Sequence, residues 1–321
     1  MSKHLQSALF AVAITGLYGA PALAADAPLA ISPNFADALP FAEGQAPVKI
    51  GQQWGYIDNR GFVTIQPELD EVTAFSDKMA AVRVGAKWGY IDSDGAFELV
   101  PNLDYASGYS HGFSTFGRVS GGVMNYGVMN NHWDVVTRPI WGEKLDFSEG
   151  PAVVRTANGK PYKPTAPGAP PPTGPFKFGY INLDGNYVIA PKFEGGMAFR
   201  DGLAAVESGG KWGYVDFGGK MVIPLVFSAG GFFGEGLAAE PGEGGKFGYI
   251  DRQGKFTIPA SFDEARPFSE GFAAVRIADK WGYIDSHGNF FIAPQFADAR
   301  AFGQGMAPVR VGDLWGYVSN K

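Results

Sequence analysis

The chain has 321 residues, 45% hydrophobic and 18% charged, with 46 glycines, 23 prolines and no cysteine. That balance fits a folded protein and excludes a disordered chain or one stapled by disulfides. The formal net charge is −6, and Lys and Arg are scattered singly among more numerous acids. This excludes the basic stripe needed to follow a phosphate backbone, so nucleic acid is not an expected partner.

In chain order, residues 1–24 read as an export signal. Lys3 and His4 form a charged start, Ala8 to Leu17 an apolar run, and Ala22-Leu23-Ala24 a small-residue cleavage site. The run is shorter than the roughly 20 residues that cross a bilayer, and no later stretch reaches that length without charge or glycine, so no membrane span is expected. Residues 25–321 then read as one repeat domain.

Its organising feature is an aromatic-Gly pair that recurs at Trp54, Trp88, Tyr126, Phe178, Trp212, Phe247, Trp281 and Trp315, with spacings of 34, 38, 52, 34, 35, 34 and 34 residues. Within a unit the pattern alternates with period two. In the best-preserved stretch it runs over Ala273 to Ile277, Lys280 to Ile284 and Asn289 to Ile292, each bounded by Gly, Asp or Pro, which predicts three short antiparallel strands. Asp285-Ser286-His287-Gly288 suits a hairpin turn, because Asp bonds its own backbone and Gly accepts positive φ. The segment Pro294 to Gly305 has room for a fourth, brief strand. The large ring of each pair is expected to anchor its unit's core, with the glycine allowing a neighbouring backbone to approach. On this reading Trp54, Trp88, Phe178, Trp212, Phe247, Trp281 and Trp315 are structural anchors. A sugar-stacking row is the lesser reading, because the Phe and Tyr replacements keep bulk and lose the indole N–H.

The string W-G-Y-I-D, followed by x-x-G, V-I-x-P and F-x-E-G-x-A-x-V, resembles the bacterial WG-repeat family over about residues 29–321. The resemblance implies a β-rich repeat protein, often exported or envelope-associated, with no common catalytic residues. Unit three departs from the pattern, with Tyr126 for Trp, Asn130 for Asp and Trp133 at the turn-glycine position.

A β repeat of about 34 residues can stack as an open solenoid or close as a propeller. The last unit ends after Trp315 to Val318 without its following strand, while Leu29 to Phe35 aligns with Phe290 to Phe296. An N-terminal strand that completes the last unit leaves no exposed edge, so an all-β, eight-bladed closed propeller is preferred to the open stack.

The 52-residue gap carries its surplus in a Pro-rich surface loop over residues 156–175, read as a tolerated insertion. Unit three concentrates Tyr105, Tyr109, His111, Tyr126, His132, Trp133 and Trp141. It is the place where the repeat rule breaks repeatedly, which makes these seven the candidate binding residues. Gly108-Tyr109-Ser110-His111-Gly112 matches the nucleophile-elbow string, but a strand-to-strand turn is expected there, with Ser110 and His111 pointing apart. His111, His132 and His287 lack metal-ligand spacing, one Asp per turn falls short of a calcium site, and no cofactor motif appears. Glu43, Asp77, Glu149, Asp201, Glu235 and Glu270 share one repeat position and are expected to line a solvated rim. The overall reading is an exported, monomeric, non-catalytic binding or scaffolding module for an envelope polysaccharide or protein. A propeller-type glycan hydrolase is the alternative.

Overall fold

The computed structural model describes residues 28–147, 149–157, 160–161 and 176–321. The expected export signal and most of the Pro-rich loop lie outside them. The described residues contain no helix, and therefore none long and apolar enough to cross a membrane. They form eight four-stranded antiparallel sheets, the blades of a closed propeller. Blade 7 is representative, with a two-residue inner strand Glu264–Ala265, then Phe272–Ile277, Lys280–Asp285 and the outer strand Phe290–Phe296. The last blade takes its outer strand from the start of the chain. Leu29–Phe35 pairs antiparallel with Leu314–Ser319, Ile31 opposite Tyr317 and Phe35 opposite Trp315. That pairing closes the ring at the expected phase.

Local chemistry accounts for each blade. In the turn after the third strand, Asp285 Oδ1 accepts the His287 and Asn289 amides at 2.9 Å each, and Gly288 turns the chain at φ +85°. The outer strand then bulges. Trp281 faces Phe296 and Tyr283 faces Ile292, so the segment 292–296 spans the two-residue step from 281 to 283. Pro294 sits in that bulge, where its missing N–H costs no ladder bond. The bulge brings backbone onto the glycine of the aromatic-Gly pair. A Cβ on Gly282 would lie 2.5 Å from Ile292 O and 2.7 Å from Pro294 N, and the seven equivalent glycines meet the outer strand in the same way.

The deepest anchor is neither member of that pair. Trp88, Trp281 and Trp315 are buried, whereas Trp54, Phe178, Trp212 and Phe247 are half-buried. The tyrosine two residues further on is fully buried in seven blades, as Tyr56, Tyr90, Tyr180, Tyr214, Tyr249, Tyr283 and Tyr317. Each of the seven hydroxyls donates to a carbonyl of the next blade, from Tyr283 to Arg300 O at 2.7 Å and, across the closure, from Tyr317 to Leu39 O at 2.9 Å. Each ring also packs on an aromatic ring of that next blade, with Tyr283–Phe302 centroids at 4.9 Å and Tyr317–Phe41 at 5.0 Å.

The repeated acids form a second belt. Glu43 Oε2 accepts the Lys78 amide, Asp77 the Gly112 amide, Asp201 the Gly236 amide and Glu235 the Gly271 amide, at 2.6–3.0 Å. Glu149 likewise accepts the Asp201 amide. Glu270 takes the Gln304 and Gly305 amides, and Gln304 Oε1 takes Gly44 N at 2.7 Å. The expected rim is therefore a chain of blade-to-blade latches on left-handed turns. At the step from blade 3 to blade 4 the latch residue is His111, which bonds Ser110 within its own blade.

Blade 6 holds one buried acid. Where other second strands carry Val48, Val82, Val206, Val275 or Val309 opposite the glycine, Glu240 stands fully buried. Its Oε1 accepts the Tyr214 hydroxyl and the Gly231 amide, the latter at 2.9 Å, and Oε2 has no partner among the described residues. Burial pushes this carboxyl from its ordinary 4.5 up to about 7.

Two predictions follow from these contacts. Gly282→Ala should cost about 1–3 kcal/mol in urea unfolding, because the new methyl meets backbone that must move. The folded state holds the Glu240 proton more tightly than the unfolded one, so the stability this group contributes is full below its ordinary pKa and lost as pH rises through about 7. The wild-type minus Glu240→Gln stability difference should therefore fall by about 3 kcal/mol between pH 4 and pH 8. A difference that stays flat would show the acid to be unperturbed.

Candidate functional site

Blade 3 lacks the bridging tyrosine. Its pair is Tyr126-Gly127, and the column filled elsewhere by Tyr56 or Tyr283 holds Val128. The carbonyl that a tyrosine at this position would reach, Leu145 O, is taken by the Thr115 hydroxyl instead. Thr115 stands where Ala81 and Ala274 stand in other blades. The missing ring leaves a cavity of roughly 460 Å3 between blades 3 and 4, bounded by Val128, Thr115, Leu145 and Phe147 and reaching Phe75 of blade 2 and Arg200 of blade 5.

Blade 4 opens the same place from its own side. Residues 143–144, which correspond to Glu264–Ala265, form no inner strand, and the edge of Ala152–Ala157 pairs with Lys160–Pro161 instead. The sequence accounts for this. Position 144 is a lysine where other blades have Ala38, Ala106, Ala265 and Ala299, and a long cation cannot fill a slot built for a methyl. Asp146 and Arg200 likewise replace small or apolar residues, Pro267 and Ser269 in blade 7. Asp146 and Arg200 pair at 2.6 Å. The Lys144 ammonium lies 4.2 Å from the centre of the Tyr105 ring, and it has no ion pair among the described residues. Hydroxyls of Ser107, Ser110, Ser114 and Thr115 complete the wall. The cavity thus combines aromatic faces with fixed donors, acceptors and charges, the equipment of a small-molecule or chain-end binding site.

The seven sequence candidates are divided by the fold. Tyr105 and Tyr109 line the cavity. Tyr126 stands behind Tyr105 in an edge contact at 5.4 Å; burial pushes its hydroxyl pKa up, with Lys144 holding it back. Trp133 packs behind the wall against Tyr90 and Tyr109 at 5.3 and 6.1 Å. Its φ of +69° is a conformation that bulky residues rarely adopt and that the turn glycines of other blades take freely. His132 is exposed on the same turn, and His111 is exposed at the missing latch. Trp141 is 5% exposed in the core between blades 3 and 4, packed with Val128 and Leu145 of the cavity wall without lining the cavity itself, and its Nε1 has no partner among the described residues.

One sequence expectation is corrected. Ser110 and His111 do not point apart, because φ of +53° at His111 breaks the strand alternation and brings Ser110 Oγ within 3.0 Å of His111 Nδ1. The turn still joins two strands, so the string lacks the strand-to-helix setting of a nucleophile elbow. The described residues contain no cluster of potential metal ligands. The Pro-rich insertion joins the second and third strands of blade 4, whereas the turns of His111 and His132 lie at the opposite ends of their strands. Sequence reading missed Lys144, Asp146, Arg200, Thr115 and the serines. The signal was present in the repeat columns, where Lys144, Asp146, Arg200, Ser114, Thr115 and Val128 break runs of Ala, Pro, Ser or Tyr, whereas Ser110 keeps the column of Ser76 and Ser269.

Comparison with known proteins places the fold and the family. Among solved structures, a eukaryotic initiation factor superposes with TM-score 0.51 at 10% identity, covering 90% of this chain and 86% of that one. Hsv2 of Kluyveromyces lactis gives 0.45 at 11% identity, with 90% and 98% coverage. The extracellular domain of a hybrid two-component system from B. thetaiotaomicron gives 0.44 at 9% identity, with 92% and 43% coverage. At these identities the likeness concerns the fold alone. No curated protein matches the sequence. The WG containing repeat matches residues 54–88, 178–212, 212–239, 247–281 and 281–315. With half the chain matched and the remaining blades built on the same aromatic-Gly pair, the protein belongs to the WG repeat family.

Proposed function

We propose that the protein is an exported, non-catalytic binding module that uses the cavity between blades 3 and 4 to hold part of an envelope polysaccharide or protein. The observation that carries this reading is the loss of the bridging tyrosine at Val128 together with charged side chains at three positions that other blades fill with small or apolar residues. A protein under selection for stability alone gains nothing by opening its core and charging the opening, and such local breaks of a repeat rule accompany function. The signal-like residues 1–24 support export. The hydrolase alternative is less well supported. Glycoside hydrolysis by a carboxylate pair needs two acids, and Asp146, the carboxylate among the described residues lining the cavity, is paired with Arg200.

The test restores the repeat. The double variant Val128→Tyr, Thr115→Ala rebuilds the Tyr283 and Ala274 arrangement and should fill the cavity. Its stability is expected to rise by about 0.5–2 kcal/mol, as for other cavity-filling changes. Wild type should be retained by purified envelope polysaccharide or peptidoglycan in a pull-down, and the more stable variant should not. Equal retention of the two proteins would remove the cavity from the binding site.

A further inference from the structure

Building on the cavity reading, we infer that the ligand group seated between blades 3 and 4 is an acidic sugar, its carboxylate received by Lys144 and its hydroxyls by the serine and threonine wall. The chain as a whole is acidic, at −6, yet among the described residues the charged lining of the cavity is two cations to one anion. Arg200 is engaged by Asp146 at 2.6 Å, so that pair is close to neutral and the excess positive charge belongs to Lys144.

Lys144 differs from Arg266 and Arg300. Arg266 and Arg300 also lie over aromatic rings, at 4.2 Å from Trp281 and Trp315, but each is tied to an acid of the next blade, Asp298 at 3.0 Å and Asp37 at 2.9 Å. Lys144 has the ring contact without the acid. A ligand carboxylate beside Nζ would supply what Asp298 and Asp37 supply elsewhere, a charge-assisted partner at a site the fold has already oriented.

The rest of the lining argues for a polyol over an acidic peptide. Ser107, Ser114 and Thr115 line the cavity from one blade with hydroxyls that donate to Gly108 O, Ser107 O and Leu145 O, which leaves their oxygens as acceptors, and Asp146 lines it from the next. A sugar ring offers several hydroxyls that both donate and accept, which matches such a wall, whereas a Glu or Asp side chain carries no hydroxyl. The volume, roughly 460 Å3, falls in the range of about 300–1,000 Å3 typical of small-ligand sites.

The experiment uses the purified full-length mature protein with D-glucuronic acid, D-glucose and L-glutamate as probes, titrated by calorimetry into wild type, Lys144→Gln and Val128→Tyr, Thr115→Ala. Glucuronate is expected to bind wild type at least tenfold more tightly than either glucose or glutamate. Lys144→Gln should weaken glucuronate at least tenfold and glucose by less than threefold, with the protein still folded by circular dichroism. The proposal is overturned if Lys144→Gln binds glucuronate as wild type does, if glucose or glutamate binds as tightly as glucuronate, or if wild type binds none of the three. Wild-type retention on envelope polymer that is lost in the cavity-filled variant, without competition by glucuronate, would sink the acidic-sugar assignment and leave the cavity reading standing. Loss of neither would sink both.

Discussion

The contact on which this propeller depends is the buried tyrosine two residues beyond the indole. A single blade is a small twisted sheet with an apolar face on each side, and it cannot remove either face from water alone. The tyrosine solves two problems in one side chain. Its ring fills the space between sheets, and its hydroxyl satisfies a carbonyl of the next blade that burial would otherwise leave unpaired. Because Tyr317 makes the same contact back to blade 1 through Leu39 and Phe41, the closing interface is built like the six others that carry the tyrosine, and the ring closes without a cap.

The aromatic-Gly pair serves this contact. The glycine is required by an approach of backbone from the bulged outer strand, at 2.3–2.7 Å from the position a Cβ would take in all eight blades. The bulge shortens the outer strand relative to its neighbour and places proline where no ladder donor is needed. The indole or phenyl ring then covers the blade at partial depth, which explains why Phe178 and Phe247 substitute for Trp without penalty to the pattern. On the turns, acid side chains bond the amides of left-handed residues one blade ahead, so the same neighbour relation is stated twice, in the core and at the rim.

Both statements lapse at one place. At the step from blade 3 to blade 4 the core tyrosine is Val128, the rim acid is His111 and the inner strand of blade 4 is replaced by a charged segment. The first and third of these changes border the cavity between blades 3 and 4, and the second leaves the rim of the same step without its latch. Glu240 shows the contrasting case. There an acidic residue also enters a core column, but Tyr214 and Gly231 close on it.

Repeat count, strand phase, turn chemistry and the overlap of the chain ends were all legible in the sequence, because each is a local matter of period, of Gly and Asp at a turn, or of one segment aligned with another. The aromatic wealth of unit three was legible for the same reason, and the cavity lies against that unit. Tertiary structure decided which of those aromatics face an opening. Tyr105 and Tyr109 do, Trp141 belongs to the core, and His111 and His132 stand at the surface. It also decided that Lys144, Asp146 and Arg200 share a wall, though Asp146 and Arg200 are 54 residues apart along the chain. Period within one strand says which face a side chain takes. It does not say which neighbouring blade that face will meet, and a site built between blades exists only once the ring has closed.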